Sequence, residues 1–242
     1  MQTKPEVYWE RAGDVSYAQA MFSSTQVERH INGRLWQTMV DIGKQLGLNE
    51  NSHVLDLGCG DGAFANLMLS QHFRQIDGFD LSEAGIRRAT NAIARPGIRF
   101  EACDITRLNY STLPRYDGIF LYGILHHVKK QTPELLSNLR KITDRIIVLE
   151  PNGNHIVRKL LELTPTYKGA GEDSFRTREL ECIFNKVGFD RTVWKRMNVF
   201  PNFMPAAVFR LLKHVEPIIE RNPMLWPLCT VNLWGFTAKR TS

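Results

Sequence analysis

The chain has 242 residues, 43% hydrophobic and 23% charged, with a formal net charge of +6. That length supports one α/β domain with a sizeable core and falls short of two. The start, Met1 to Pro5, is polar and no run reaches the roughly 18 apolar residues of a membrane span, so the expectation is a soluble, cytoplasmic protein.

Cysteines 59, 103, 182 and 229 form no C-x-x-C pair and read as reduced, buried small residues, with no metal site or disulfide frame. The basic groups Arg87-Arg88, Lys129-Lys130 and Arg176/Arg178 are dispersed, as solvated faces are, and do not gather into a nucleic-acid stripe.

Residues 7 to 22 place Tyr8, Trp9, Tyr17 and Phe22 among polar residues, a pattern that suits either a lid over a bound ligand or an aromatic latch on the core. From Gln26 to Gly47, Val27, Ile31, Leu35, Met39, Ile42 and Leu46 fall at helical spacing, the stripe of a helix packed on a sheet. Val54-Leu55-Asp56-Leu57 is an apolar strand that turns through Gly58, Gly60 and Gly62 into a helix from about Ala63. Glycines there let bare backbone approach a ligand, with the helix amides aimed at the same place.

Two ligand classes use such a turn. The third glycine comes one residue too early for the dinucleotide G-x-G-x-x-G, although Ala63 satisfies the looser form of that pattern. Asp56, two residues before Gly58, suits the ammonium of a methionyl group and would repel a pyrophosphate, which favours S-adenosylmethionine.

A second strand, Gln75 to Phe79, runs into Asp80-Leu81-Ser82, where Ser82 fits as a helix N-cap and leaves Asp80 for ribose hydroxyls. The third strand, Ile98 to Cys103, ends in Asp104-Ile105, and the fourth, Tyr116 to Tyr122, ends in Gly123-Ile124-Leu125-His126-His127. In an open parallel sheet the ligand lies beyond the carboxyl ends of the strands, so Asp56, Asp80, Asp104 and Tyr122 converge on one cleft. Thr132-Pro133 reads as an N-cap and N1 pair opening a helix. Asp144 to Glu150 is a strand buried on both faces, and Glu150, Asn152 and His155 after it are candidates either for acceptor contact or for plain turn chemistry.

An antiparallel pair, Arg191 to Val199 and Thr230 to Lys239, closes the sheet. The segment 201 to 228 interrupts that pair. Ala206 to Ile219 reads as an amphipathic helix that Pro217 bends or ends, and its apolar face either covers the sheet edge or meets a lipid surface or lipid-like acceptor. The expected architecture is a doubly wound, mostly parallel, seven-stranded Rossmann-like sheet with an antiparallel last strand. It comprises an N-terminal cap (1–48), a cofactor-binding core (49–200), a helical insertion (201–228) and a last strand (229–242) in one domain.

On these motifs, residues 26 to 195 resemble a class I S-adenosylmethionine-dependent methyltransferase of the small-molecule type. The resemblance implies that Asp56, Gly58, Cys59 and Gly60 hold the methionyl end, that Asp80 and Leu81 hold the ribose and one adenine face, and that Asp104 takes the adenine amino group beside Ile105. Tyr122 would lie beneath the sulfonium, and Leu125-His126-His127-Val128 would face the acceptor, an oxygen or, less readily, a nitrogen of a small metabolite, sugar or lipid-linked precursor. Either histidine, His127 ahead of His126, could act as a general base. The fourth strand lacks the Asn-Pro-Pro-Tyr or Asp-Pro-Pro-Tyr run that grips a nucleic-acid base, which leaves an oxygen-methylating RNA enzyme as one alternative. A nicotinamide-dependent oxidoreductase, or a non-catalytic binding module on the same sheet, is the other.

Overall fold

The structure, a computed structural model, describes residues 22–92, 95–164 and 173–239. The aromatic run expected to act as lid or latch lies mostly outside them. Within them, Phe22 packs against the core.

Helix α1 (Thr25–Gln45) starts at Ser24, whose hydroxyl accepts from the Val27 amide at 3.3 Å and satisfies one orphan donor of the first turn. Its predicted stripe is buried along its whole length. Next come β1 (His53–Leu57), α2 (Ala63–Leu67), β2 (Gln75–Asp80), α3 (Glu83–Ala92), β3 (Ile98–Ala102), β4 (Gly118–Tyr122), α4 (Thr132–Ile142) and β5 (Arg145–Pro151). The short α5 (Ile156–Leu161) precedes α6 (Thr177–Lys186), β6 (Phe189–Met197), α7 (Ala206–Leu212), α8 (Glu216–Arg221) and β7 (Val231–Ala238).

The sheet order is β3-β2-β1-β4-β5-β7-β6, with β1 to β5 mutually parallel and β7 antiparallel to both its neighbours. Successive side chains alternate between faces. Val54, Phe120, Ile147 and Leu233 pack under α1 and α2, whereas Leu55, Ile119, Ile146 and Trp234 pack under α4 and α6. Strand order reverses between β1 and β4, and a doubly wound sheet opens its binding crevice at that point.

Some local expectations are corrected. Gln131 occupies the cap of α4, and Thr132 is the first helical residue, its buried hydroxyl donating to the Val128 carbonyl at 3.0 Å. β4 begins at Gly118, because Tyr116 joins the sheet only through an isolated bridge to Thr143 and sends its hydroxyl to Asp77 at 2.8 Å. The helix expected over 206–219 is two helices, and Pro217 sits in the first turn of α8, where its missing N–H costs nothing. Of the cysteines, Cys59 and Cys229 are buried, but Cys103 is half-buried and Cys182 lies exposed on α6.

Candidate active site

The glycine turn is built by sheet register. Asp56 pairs with Gly78 on one side and Phe120 on the other, and the next residues carry the β1–β2 ladder beyond the strand, since the Gly58 and Cys59 amides both donate to the Phe79 carbonyl at 2.7 and 3.0 Å. Gly58 has φ +82°, and a Cβ on it would fall 2.6 Å from the Ile124 side chain. Gly62, at φ +72°, caps α2, and a Cβ there would fall 2.5 Å from that of Ala89. Both positions therefore require glycine for conformation and for space. Ile124, which the sequence reading left without a role, is the side chain that covers the turn.

Asp56 lies at the floor of this turn, 1% exposed, and neither carboxylate oxygen has a hydrogen-bond partner among the described residues. Burial, with the Asp80 carboxylate nearby, pushes its pKa up to about 8. A buried acid with no donor is costly unless a ligand completes it. Asp80 is better satisfied. Its Oδ2 accepts from the Gly60 amide at 2.8 Å and its Oδ1 from the Ser82 amide at 2.9 Å, while Ser82 caps α3 through its hydroxyl and the Gly85 amide at 3.0 Å. Asp80 thus braces the turn, with the Leu81 amide as a third backbone donor to its carboxylate. Burial shifts its pKa upward.

Leu81 is 53% exposed between buried Phe79 and Ser82, an unusual place for a large apolar side chain unless a flat ligand covers it. Asp104 engages the Thr106 amide and hydroxyl at 2.9 and 2.7 Å through Oδ1, with Arg107 beside Oδ2 at 3.3 Å. Ile105 is only 6% exposed and joins the core, its carbonyl accepting from the Tyr110 hydroxyl at 2.7 Å. Burial raises the pKa of both Cys59 and Cys103, that of Cys103 to about 11, so both are neutral thiols at physiological pH.

Tyr122, at the end of β4, packs edge-on against Trp36, and its hydroxyl donates to Asn32 Oδ1 at 3.0 Å. Burial pushes its pKa up to about 12. Asn32 and Trp36 are polar-capable residues on the buried face of α1, a face the sequence pattern marked as structural only.

The two histidines differ. His126 is 5% exposed, with Nδ1 2.6 Å from Glu150 Oε2, and Glu150 Oε1 accepts from the Leu125 amide at 2.7 Å. Glu150, itself fully buried, therefore anchors the loop after β4 and is corrected from an acceptor contact to a brace. That pairing sets the His126 tautomer, with the proton on Nδ1. The half-buried His127 ring lies 4.0 Å, centroid to centroid, from that of His126.

Asn152 is also structural. Its amide donates to the Cys229 carbonyl at 2.8 Å and its oxygen accepts from the Asn154 amide at 3.1 Å. His155 caps α5, accepting from the Arg158 amide at 3.3 Å. Turn and cap duties thus account for Asn152 and His155, while Glu150, in β5, braces the loop after β4.

Residues 54–145 match the methyltransferase-domain family. An uncharacterised methyltransferase of Schizosaccharomyces pombe is 34% identical over 97 residues, covering 38% of this chain and 34% of that protein. A probable fatty acid methyltransferase of Pseudomonas putida is 26% identical over 137 residues, covering 53% and 33%. The chain spans about a third of the length of these curated relatives.

Among solved structures, magnesium protoporphyrin IX methyltransferase from Synechocystis PCC 6803, with bound S-adenosylhomocysteine, superposes with a TM-score of 0.61 at 14% identity, over 89% of each chain. The cyclase SpnF superposes with a TM-score of 0.69 at 14% identity, over 99% of this chain and 98% of its own.

Proposed function

We propose that the chain, whose residues 54–145 match the methyltransferase-domain family and whose fold is that of a solved S-adenosylhomocysteine-bound methyltransferase, is a class I S-adenosylmethionine-dependent methyltransferase that moves a methyl group from that cofactor to an oxygen, or less readily a nitrogen, of a small metabolite, sugar or lipid-linked precursor. The observation that carries the reading is Asp56, a buried carboxylate whose two oxygens lack donors, set behind a turn of glycine backbone. An α-ammonium group is the donor that fits it. Asp80 stands one strand over for the ribose hydroxyls, Leu81 offers an apolar face to a purine, and Asp104 keeps an acceptor for its amino group.

The bound cofactor would supply a methyl on a sulfonium whose leaving group is already activated. The protein's work is then alignment and exclusion of water. Ile124 closes over the Gly58 turn, and Asn32 fixes the Tyr122 ring at the end of β4. Glu150 holds His126 and the Leu125 amide, which braces the loop after β4 that in this reading faces the acceptor. In this reading His126 is a positioning residue and His127 the proton acceptor for a hydroxyl substrate.

The likeness to a fatty acid methyltransferase favours a lipid-type acceptor, while SpnF shows that this fold also appears in a protein named a cyclase. Incubation with methyl-labelled cofactor and cell extract, followed by fractionation, tests the reading. Label in water-soluble small molecules or organic-soluble lipids supports it. Label in nuclease-sensitive polymer, or in no fraction, overturns it. Replacement of His127 by alanine is expected to remove the pH dependence of turnover on one basic group, and an unchanged profile would restrict the mechanism to alignment.

A further inference from the structure

Beyond the cleft, the insertion presents an apolar ridge outward. Val208 and Leu211 on α7, Val215 in the turn after it and Ile218 on α8 are all exposed, Leu211 by 78% and Ile218 by 64%. Met224, in the 3₁₀ turn that follows, is 87% exposed. Of α7, only Phe209 is buried, edge-on against His30 and Phe200 at centroid distances of 4.9 and 5.6 Å. Large exposed apolar side chains repeated on one segment mark an interaction surface, unlike scattered single ones.

Charge on the insertion is segregated. Glu216 and Glu220 are the only acids between 201 and 228, and both turn inward. Glu216, fully buried, meets His30 Nε2 at 2.8 Å, pairs with Arg34 and accepts from the Val199 amide at 3.1 Å. Glu220 pairs with Arg34 and accepts from the Asn198 amide at 2.8 Å. Outward, the segment offers Arg210, Lys213 and Arg221, none paired with a carboxylate among the described residues. Cations beside an apolar ridge, with every carboxylate removed to the inner side, complement a surface of anionic headgroups over hydrocarbon.

We propose that the face of residues 203–224 docks the protein peripherally on an anionic lipid bilayer. No helix among the described residues is long and apolar enough to cross one, so the contact is interfacial. The docked segment is tied to the cleft through α1, where His30 and Arg34 hold Glu216 and the intervening Asn32 holds Tyr122. The proposal stands on exposure and charge and does not depend on the methyl-transfer reading.

Flotation of the full chain with phosphatidylcholine vesicles, plain or containing phosphatidylglycerol, tests it. The protein is expected to float with the anionic vesicles, not with the plain ones, and to be released by about 0.5 M salt. Arg210→Glu with Lys213→Glu should weaken binding by at least roughly fivefold per cation lost. Leu211→Asp with Ile218→Asp should abolish it, with melting temperature and adenosylhomocysteine affinity as in the wild type. Should the apolar pair melt early, the charge pair decides alone. Absence of flotation, or variants that float like the wild type, overturns the proposal. So does a concentration-dependent dimer that the aspartates break without any lipid binding, which would make the ridge a contact between copies of this chain.

Discussion

Replacing Asp56 by asparagine should make the ligand-free protein more stable and the cofactor site nearly useless. The folded acid titrates near 8 and the unfolded one near 3.8. At pH 7 the folded state must therefore hold a proton that the unfolded state releases, which costs about 4 kcal/mol. The sign follows from the raised value. This group's penalty is absent below about pH 4, grows as pH climbs and is complete above about pH 8.

Asparagine removes the titration but buries an amide without partners, which costs about 1–3 kcal/mol, so the expected net gain at pH 7 is roughly 1–3 kcal/mol. Urea unfolding of the ligand-free protein reads this directly. Calorimetry with adenosylhomocysteine should show roughly 10- to 150-fold weaker binding, the worth of one charge-assisted contact of about 1.5–3 kcal/mol. Wild-type affinity should rise with pH from 6 and level off above about 8, whereas the variant's should stay flat. A less stable ligand-free Asp56→Asn, or one that binds like the wild type, would refute the view that this carboxylate awaits an ammonium.

Leu81→Ala, at an exposed site, should leave the unfolding midpoint within about 0.5 kcal/mol of wild type and still weaken adenosylhomocysteine severalfold, as measured by titration. Gly58→Ala forces a side chain into φ +82° and against Ile124, so a loss of about 2 kcal/mol or more in urea unfolding and no measurable cofactor binding are expected. Glu150→Leu orphans the buried Leu125 amide and the His126 ring nitrogen, and should cost about 2–4 kcal/mol in the same unfolding assay. Glu150→Gln, which keeps an acceptor for that amide, should recover part of the loss.

The glycine turn was legible because backbone geometry dictates it. A glycine turn after an apolar strand needs particular residues at particular spacings, and Asp56 in β1, Gly58 at positive φ and Asp80 at the end of β2 flank that one turn. Ser82 capping α3 followed from the same reasoning. What stayed hidden depends on which way a side chain turns. Glu150, Asn152 and His155 look alike in sequence as rim residues, yet long-range partners claim Glu150 and Asn152, the Leu125 amide and the Cys229 carbonyl being separated from them by 25 and 77 residues.

Asn32 was invisible for the opposite reason, being a polar residue inside an apolar stripe whose partner is 90 residues away. The interruption of the 206–219 helix was expected at Pro217, but it falls earlier, after Leu212, and Pro217 instead opens α8, because the apolar spacing gives no sign of the turn between them. Glu216 and Glu220 carry no signal in the sequence, since the partners that hold them inward, His30, Arg34 and the Asn198 and Val199 amides, lie elsewhere in the chain.

The placement of β7 has a consequence for the order in which the protein comes off the ribosome. β5 is paired along its whole length to a strand 80 residues beyond its end, and β6 reaches the sheet only through that same strand. Until β7 emerges, the backbone edge of the apolar run Ile146 to Leu149 is open, for roughly 4–16 seconds at synthesis rates of about 5–20 residues per second. A nascent chain held at this stage would present a bare, strongly β-forming edge. Slowed translation between 152 and 230, or a stop before β7, should therefore yield aggregated protein, whereas a break in the loop ahead of β1 would leave the sheet able to close.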